Sequence, residues 1–384
     1  MRVISQEKRL FAIGFFFSFC IALAAYVNAS YLKTFLSTES VGMVYSATAL
    51  LTIFILYFFE HIGGKYGVQK TLVASLVISG VSALLLSQQT TQPILIVMFV
   101  LMQVGLVITK FSTDILLETH KNSGEGEGTL RGAYLAITNL GWIIAAFTGG
   151  YIASINPQYI YGINSVVYIT LAVVTLFVIS QTKKDVFMGT SILEKIRFTI
   201  SEKNTKKIVI SEFVLQTFYA IMVIFSPLYL REVSGFGYTE IGLIFSIMLV
   251  PFAVLQYPLG KIADRKYGEK EMMIVSYIIL ALSVFTFASI EKHTFFSAAV
   301  ILFISRIGAC TLEVMNDTYF FTTTQDYKKT LPILKGMAPL ALLLFGTIGS
   351  TIATFYSYQT VFISLSVFIV LVSFINIYNL KDTK

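Results

Sequence analysis

The stretch GKIADRKYGEK, residues Gly260 to Lys270, packs Lys261, Asp264, Arg265, Lys266, Glu269 and Lys270 into eleven residues of a chain that is only 13% charged. About 200 residues earlier, FEHIGGKYGVQK, from Phe59 to Lys70, has the same Lys-Tyr-Gly followed closely by Lys. A charged loop that occurs twice in a very apolar chain, once intact and once eroded, points to an internal repeat.

Composition sets the medium. Hydrophobic residues make up 56% of the chain, with 33 Phe and 21 Tyr, and the mean hydropathy is +0.77, well above that of a soluble globular protein. A bilayer core of about 30 Å needs about 20 mostly apolar residues per helix. Twelve segments meet that requirement, at about 10–35, 40–60, 70–88, 93–118, 130–153, 159–181, 207–231, 238–259, 271–290, 294–320, 332–354 and 358–380. The first has no Ala-x-Ala-type site and leads straight into the multi-span pattern, unlike a cleaved leader. The runs are continuous rather than alternating, which excludes an outer-membrane barrel.

The formal net charge of +7 is a matter of topology. With the first residues inside, 23 of the 28 Lys and Arg fall on the inner side and only Lys33, Arg231 and Lys292 on the outer side. Lys110 and Arg306 remain within spans. The positive-inside rule then puts both termini in the cytoplasm and requires an even number of spans. It also removes nucleic acid as a partner. Cys20 and Cys310 lie far apart in apolar segments, and His61, His120 and His293 lie at segment ends. No disulfide framework, metal site or cofactor motif follows from them.

The longest polar stretch, Thr182 to Lys207, divides the spans six and six. Within it Ile192, Leu193, Ile196 and Ile200 recur at helical spacing beside Lys195, Arg197 and Lys203. That pattern suits a short amphipathic helix on the inner membrane surface; a solvated linker with incidental periodicity is the alternative. The expected organisation is all-α, with twelve transmembrane helices in two pseudo-symmetric six-helix bundles, residues 1–181 and 207–384, joined by a linker at 182–206.

Short matches support the repeat. Tyr31-Leu32-Lys33 pairs with Tyr229-Leu230-Arg231, and Val41 to Ser46 with Ile241 to Ser246. Lys65-Tyr66-Gly67 pairs with Lys266-Tyr267-Gly268, Gln103-Val104-Gly105 with Arg306-Ile307-Gly308, and Arg131-Gly132 with Lys335-Gly336. The offset drifts smoothly from 198 to 204, as loop insertions would cause.

On these residues the chain resembles the major facilitator superfamily. Gly260, Asp264, Arg265, Gly268 and Lys270 stand at or near the places of that family's loop signature, with Tyr267 an inserted or shifted residue and Glu269 where a basic residue is usual. The first-half copy keeps Gly67 and Lys70 but has Gly63-Gly64 in place of Asp-Arg. The resemblance implies alternating access between two bundles, with the loop as a cytoplasmic gate. An Asp at a helix junction can pair with an Arg and accept from a helix N-terminus, forming a latch; the alternative is a basic loop that only sets topology. In the fifth span Gly132, Gly141, Gly149 and Gly150 fit the spacing of the family's exporter-associated pattern, with Ala145 and Ala146 at its Gly-Pro positions. Close helix packing through small residues accounts for the same spacing.

Charges inside the membrane mark a pathway. Gln103, Val107, Lys110 and Asp114 share one helical face of the fourth span. Arg306, Cys310, Glu313 and Asp317 repeat that spacing in the tenth. A charge near the bilayer centre costs at least about 2.5–3.5 kcal/mol, so such groups face a partner or a water-filled cavity. The resemblance places the first, fourth, seventh and tenth helices around the substrate path. Glu313 is the expected protonation switch, with Asp317, Lys110, Asp114 and Arg306 as its neighbours; static Lys110–Asp114 or Arg306–Glu313 pairs are the alternative. Glu212 is a weaker candidate. Tyr26, Asn28, Gln103, Asn139, Gln216, Tyr219 and Gln256 are candidates to read a substrate, although each also suits plain interhelical packing.

No Walker motif is present, so the energy source is a gradient. The reading is a secondary transporter, not an enzyme, that exports a small organic compound against protons. Uptake of a nutrient by proton symport or facilitation is the alternative; a non-transporting receptor or a membrane-embedded enzyme on the same scaffold is a weaker one, since no nucleophile–base pair or metal-ligand set is present in the sequence. The expected partners are the substrate, protons and the lipid bilayer. The expected form is a monomer in a prokaryotic inner membrane.

Overall fold

The protein is described as a computed structural model covering residues 6–88, 91–119, 127–179, 192–265, 268–324, 327–377 and 380. Every regular element among these residues is a helix, as continuous apolar runs require where no water can satisfy an open backbone. The first half holds α1 (Gln6–Ala25), α2 (Asn28–Lys33), α3 (Thr38–Tyr66), α4 (Val68–Leu86), α5 (Gln92–Thr119), α6 (Glu127–Ile155) and α7 (Pro157–Val178). There follow α8 (Ile192–Ser201), α9 (Lys203–Glu232), α10 (Tyr238–Arg265), α11 (Glu269–Ser289), α12 (Phe295–Thr323), α13 (Tyr327–Lys335), α14 (Met337–Phe355) and α15 (Tyr358–Ile377). Among the described residues, eleven stretches are long and apolar enough to cross a membrane, and Tyr358–Ser373 in α15 adds a shorter one.

Two expected spans are interrupted. The run 10–35 is two helices, because the Val27 N–H bonds to the Ala24 carbonyl at 2.9 Å and tightens the chain between α1 and α2. The run 332–354 is shared by α13 and α14, which meet at Gly336. The linker periodicity does form a helix, α8. Leu193, Ile196 and Ile200 point outward from it, at 73%, 38% and 57% exposure, while Lys195 is buried.

The chain divides into two compact units, residues 1–36 with 47–189, and residues 37–46 with 190–384. In the first, α4 packs on α5 and α7, and α1 packs on α6. In the second, α11 packs on α12 and α15, and α9 packs on α14. These are the same helix pairs under the sequence repeat. Individual contacts repeat as well. A Cβ on Gly105 would stand 3.0 Å from the Ser75 carbonyl, and one on Gly308 would stand 3.0 Å from the Ser276 carbonyl. Glycine at both places lets the helix backbones approach closely. Large apolar side chains such as Val166, Phe177 and Phe296 remain exposed, as lipid-facing positions do in a spanning helix.

Candidate functional site

The polar groups of α9 set out the site. Glu212, Gln216 and Tyr219 follow at i, i+4 and i+7, so one face of the helix carries all three. Gln216 Nε2 donates to Glu212 Oε1 at 2.7 Å, a pair that the four-residue spacing makes local. Across from this face lies α12, which packs on α9. Its Asn316 Nδ2 donates to Glu212 Oε2 at 3.0 Å. Tyr219 donates its hydroxyl to Glu313 Oε2 at 3.1 Å, and its ring packs on Phe252 of α10. Two carboxylates therefore sit between α9 and α12, and among the described residues their hydrogen-bond donors are neutral groups. Neutral donors orient a carboxylate and favour its ionised form without the fixed charge of an ion pair.

The charge stripe of α12 divides. Arg306 is 2% exposed and Cys310 is buried, whereas Glu313 and Asp317 are half-buried. The Arg306 guanidinium lies over the Phe218 ring of α9, 4.8 Å from its centroid. Asp317 and Lys335 are within electrostatic reach of both Glu212 and Glu313. The stripe of α5 is more open, with Gln103 half-buried and Lys110 and Asp114 exposed.

The candidate substrate-reading residues scatter. Gln216 and Tyr219 hold the two carboxylates. Tyr26 is buried edge-on against Trp142, and Asn28 accepts from the Tyr161 hydroxyl at 2.8 Å; both work inside the first unit. Asn139 on α6 and Gln256 on α10 are half-buried. The glycines of α6 pack against α1: a Cβ on Gly141 would meet the Phe15 carbonyl at 3.2 Å, and one on Gly149 the Leu23 carbonyl at 2.6 Å. Gly150 is buried beside them, and Gly132 lies nearer the start of the helix.

In the charged loop, Asp264 and Arg265 end α10 together with Gly260, and their side chains lie outside the described residues. Gly268 caps α11 with φ −68°, and Lys270 is half-buried in that helix's first turn. The first-half counterpart Gly67 caps α4 with φ +90°, so the two copies of the loop differ in backbone as well as in charge.

Asn316, Ser211 and Tyr277 join this site without a signal in the sequence. Asn316 lies beside Asp317 but off the charge stripe, and only the packing of α12 on α9 turns it toward Glu212.

The Major Facilitator Superfamily profile matches residues 10–238 and 208–384. No curated protein matches the chain. Among solved structures, that of the nucleoside transporter NupG is similar at 15% identity and a TM-score of 0.79, covering 98% of this chain and 100% of that one. A point mutant of NupG is similar at 14% identity and a TM-score of 0.83, with the same coverage. At these identities the structures attest the fold, and the profile match spans both halves of the repeat. The chain belongs to the Major Facilitator Superfamily and is a membrane transporter rather than an enzyme.

Proposed function

We propose that this transporter works by alternating access and exports a small organic compound in exchange for protons, with Glu313 as a proton-binding group. The observation that carries this reading is the Tyr219–Glu313 hydrogen bond between α9 and α12. A protonation change at Glu313 alters a contact between two helices, and so can bias one packing over another. Asp317 and Lys335 supply the nearby charge of either sign. The spacing of Gly132, Gly141, Gly149 and Gly150 favours export. In this reading residues 1–181 and 207–384 are the rocking bundles and 182–206 is the linker. Asp264 and Arg265 latch the cytoplasmic side, Lys110, Asp114, Asp317 and Arg306 are further proton-coupling candidates, and the chain acts as a monomer in a prokaryotic inner membrane.

A second reading is uptake, and the likeness to a nucleoside transporter favours nucleosides as its substrate class. Proton flux in inside-out vesicles tests both. An acid interior is set up and a pH-sensitive dye is followed while cationic drugs, sugars, amphiphiles and nucleosides are added, with wild type beside Glu313→Gln. Substrate-triggered collapse of the gradient, lost in Glu313→Gln, is the expected result. Collapse retained in Glu313→Gln would sink Glu313 as the proton site. No response to any compound would reject exchange and favour uptake.

A further inference from the structure

Four polar side chains lie end to end inside the second unit, beyond the reach of the loop signature and the charge stripes. Glu212 Oε2 accepts from Asn316 Nδ2 at 3.0 Å. Asn316 Oδ1 accepts from Ser211 Oγ at 2.6 Å, and Ser211 Oγ is 2.7 Å from the Tyr277 hydroxyl. Their exposures are 8%, 0%, 0% and 3%, so bulk water does not compete for these bonds. The chain of bonds ties α9 to α12 and α11.

Its polarity follows from counting protons. A serine hydroxyl has one, and Ser211 gives it to Asn316. Tyr277 is therefore the donor to Ser211. Every donor in the chain points toward Glu212, whose other oxygen takes Gln216 Nε2. Amide N–H groups offer nothing to a carboxylic O–H. The arrangement fits the ionised acid, which accepts at both oxygens.

We propose that Glu212 binds a proton during the working cycle and that its charge is reported to α11 through reversal of the Asn316–Ser211–Tyr277 chain. One proton from solution forms an O–H on Glu212 Oε2, and no other covalent bond changes. That O–H faces the Asn316 amide, which turns over so that Oδ1 accepts from Glu212 and Nδ2 donates to Ser211. Ser211 then turns its O–H to donate a hydrogen bond to the Tyr277 oxygen, and the Tyr277 O–H is released from its present partner. Loss of the proton restores the first polarity. The two orientations of one asparagine amide thus correspond to the two charge states of one glutamate.

Among the described residues, titratable and charged groups reach Glu212 from several helices. Glu313 and Asp317 face it from α12, Tyr277 from α11, and Lys335 acts from the end of α13. On α9 the nearest charge is Lys207. Neither α14 nor α15 carries a charged residue, and α10 carries none between Glu240 and Lys261. The role in transport rests on the proton-coupled reading, but the titration is testable without a substrate.

The full-length protein in lipid nanodiscs is titrated from alkaline to acid pH while infrared difference spectra follow the protonated-carboxyl and tyrosine bands. Expected is a protonated-carboxyl band that persists in Glu313→Gln and is lost in Glu212→Gln. A tyrosine difference signal should accompany it and disappear in both Glu212→Gln and Tyr277→Phe. A carboxyl band unchanged by Glu212→Gln would overturn the proposal, as would a Glu212 band with no Tyr277-dependent signal. If Glu212→Gln fails to fold, comparison of wild type with Tyr277→Phe decides, since identical tyrosine spectra reject the relay. Absence of substrate-driven proton flux with these bands present counts against coupled transport alone.

Discussion

Tyr31 donates its hydroxyl to the Leu86 carbonyl at 2.8 Å, and its repeat counterpart Tyr229 donates to the Ile290 carbonyl. Leu86 ends α4 and Ile290 follows α11, so each tyrosine caps the equivalent helix in its own unit. The neighbours repeat too: Tyr31 packs on Tyr161 of α7, and Tyr229 on Phe362 at the matching position of α15. A carbonyl at a helix end has no intrahelical partner, and this bond supplies one. Replacing either tyrosine by Phe is expected to lower stability by about 1 kcal/mol, read as a fall in the thermal midpoint of the detergent-solubilised protein. Equal effects at the two sites would confirm equivalent roles, and a neutral Tyr229→Phe would refute them.

The two copies of the charged loop differ in their glycines. Gly67 sits at φ +90°, ψ 145°, a region closed to side chains, whereas Gly268 sits at φ −68°, ψ 156°, where any residue is at ease. Gly67→Ala should cost about 1–3 kcal/mol even though the added methyl meets open space. Gly268→Ala should cost little by comparison. Thermal unfolding of the two variants side by side checks this, and equal losses would contradict it.

The glycines of α6 predict a graded response. Alanine at Gly149 brings a methyl to 2.6 Å from the Leu23 carbonyl, a backbone atom that moves only with α1. Overpacking of this kind costs typically about 1–3 kcal/mol. Alanine at Gly141, 3.2 Å from the Phe15 carbonyl, should be milder. The comparison of midpoints measures how far this register serves packing. A Gly149→Ala protein as stable as wild type would show that α1 yields freely.

His293 predicts an acid-sensitive fold. It is 3% exposed between α11 and α12, stacked on Phe287 and edge-on to Tyr229, and one ring nitrogen lies 3.0 Å from the Phe287 carbonyl. Burial pulls its pKa below the usual 6.5, and the bond to that carbonyl opposes the shift only in part. The unfolded chain therefore binds its proton first. The contribution of neutral His293 to stability is complete above about pH 6.5 and is lost as pH falls through the lower folded value. Midpoints measured across this range should fall with acid in wild type and less steeply in His293→Phe. Parallel slopes would exclude this histidine as the cause.

Much of the fold was legible in the sequence because the bilayer imposes a simple rule. A segment must be about 20 residues long, apolar and helical, and the basic residues between segments must gather on one side. The interruptions at Val27 and Gly336 were not legible, since hydropathy has no term for a tightened turn inside an apolar run.

The candidate site was legible only in part. Periodicity put Glu313 and Asp317 on one face of α12, because the helical repeat fixes which side chains share a side. It could not say that Tyr219 would serve Glu313, or that Asn316 would turn to Glu212 and tie it through Ser211 to Tyr277. Such pairings depend on the rotation of each helix about its own axis, and that rotation is set by small residues at the contacts, such as Gly308 against the Ser276 carbonyl. The sequence by itself determined the medium, the span lengths and the repeat, all of which follow from solvation and period. Only the tertiary structure decided which polar groups meet, because packing between helices leaves no period along the chain.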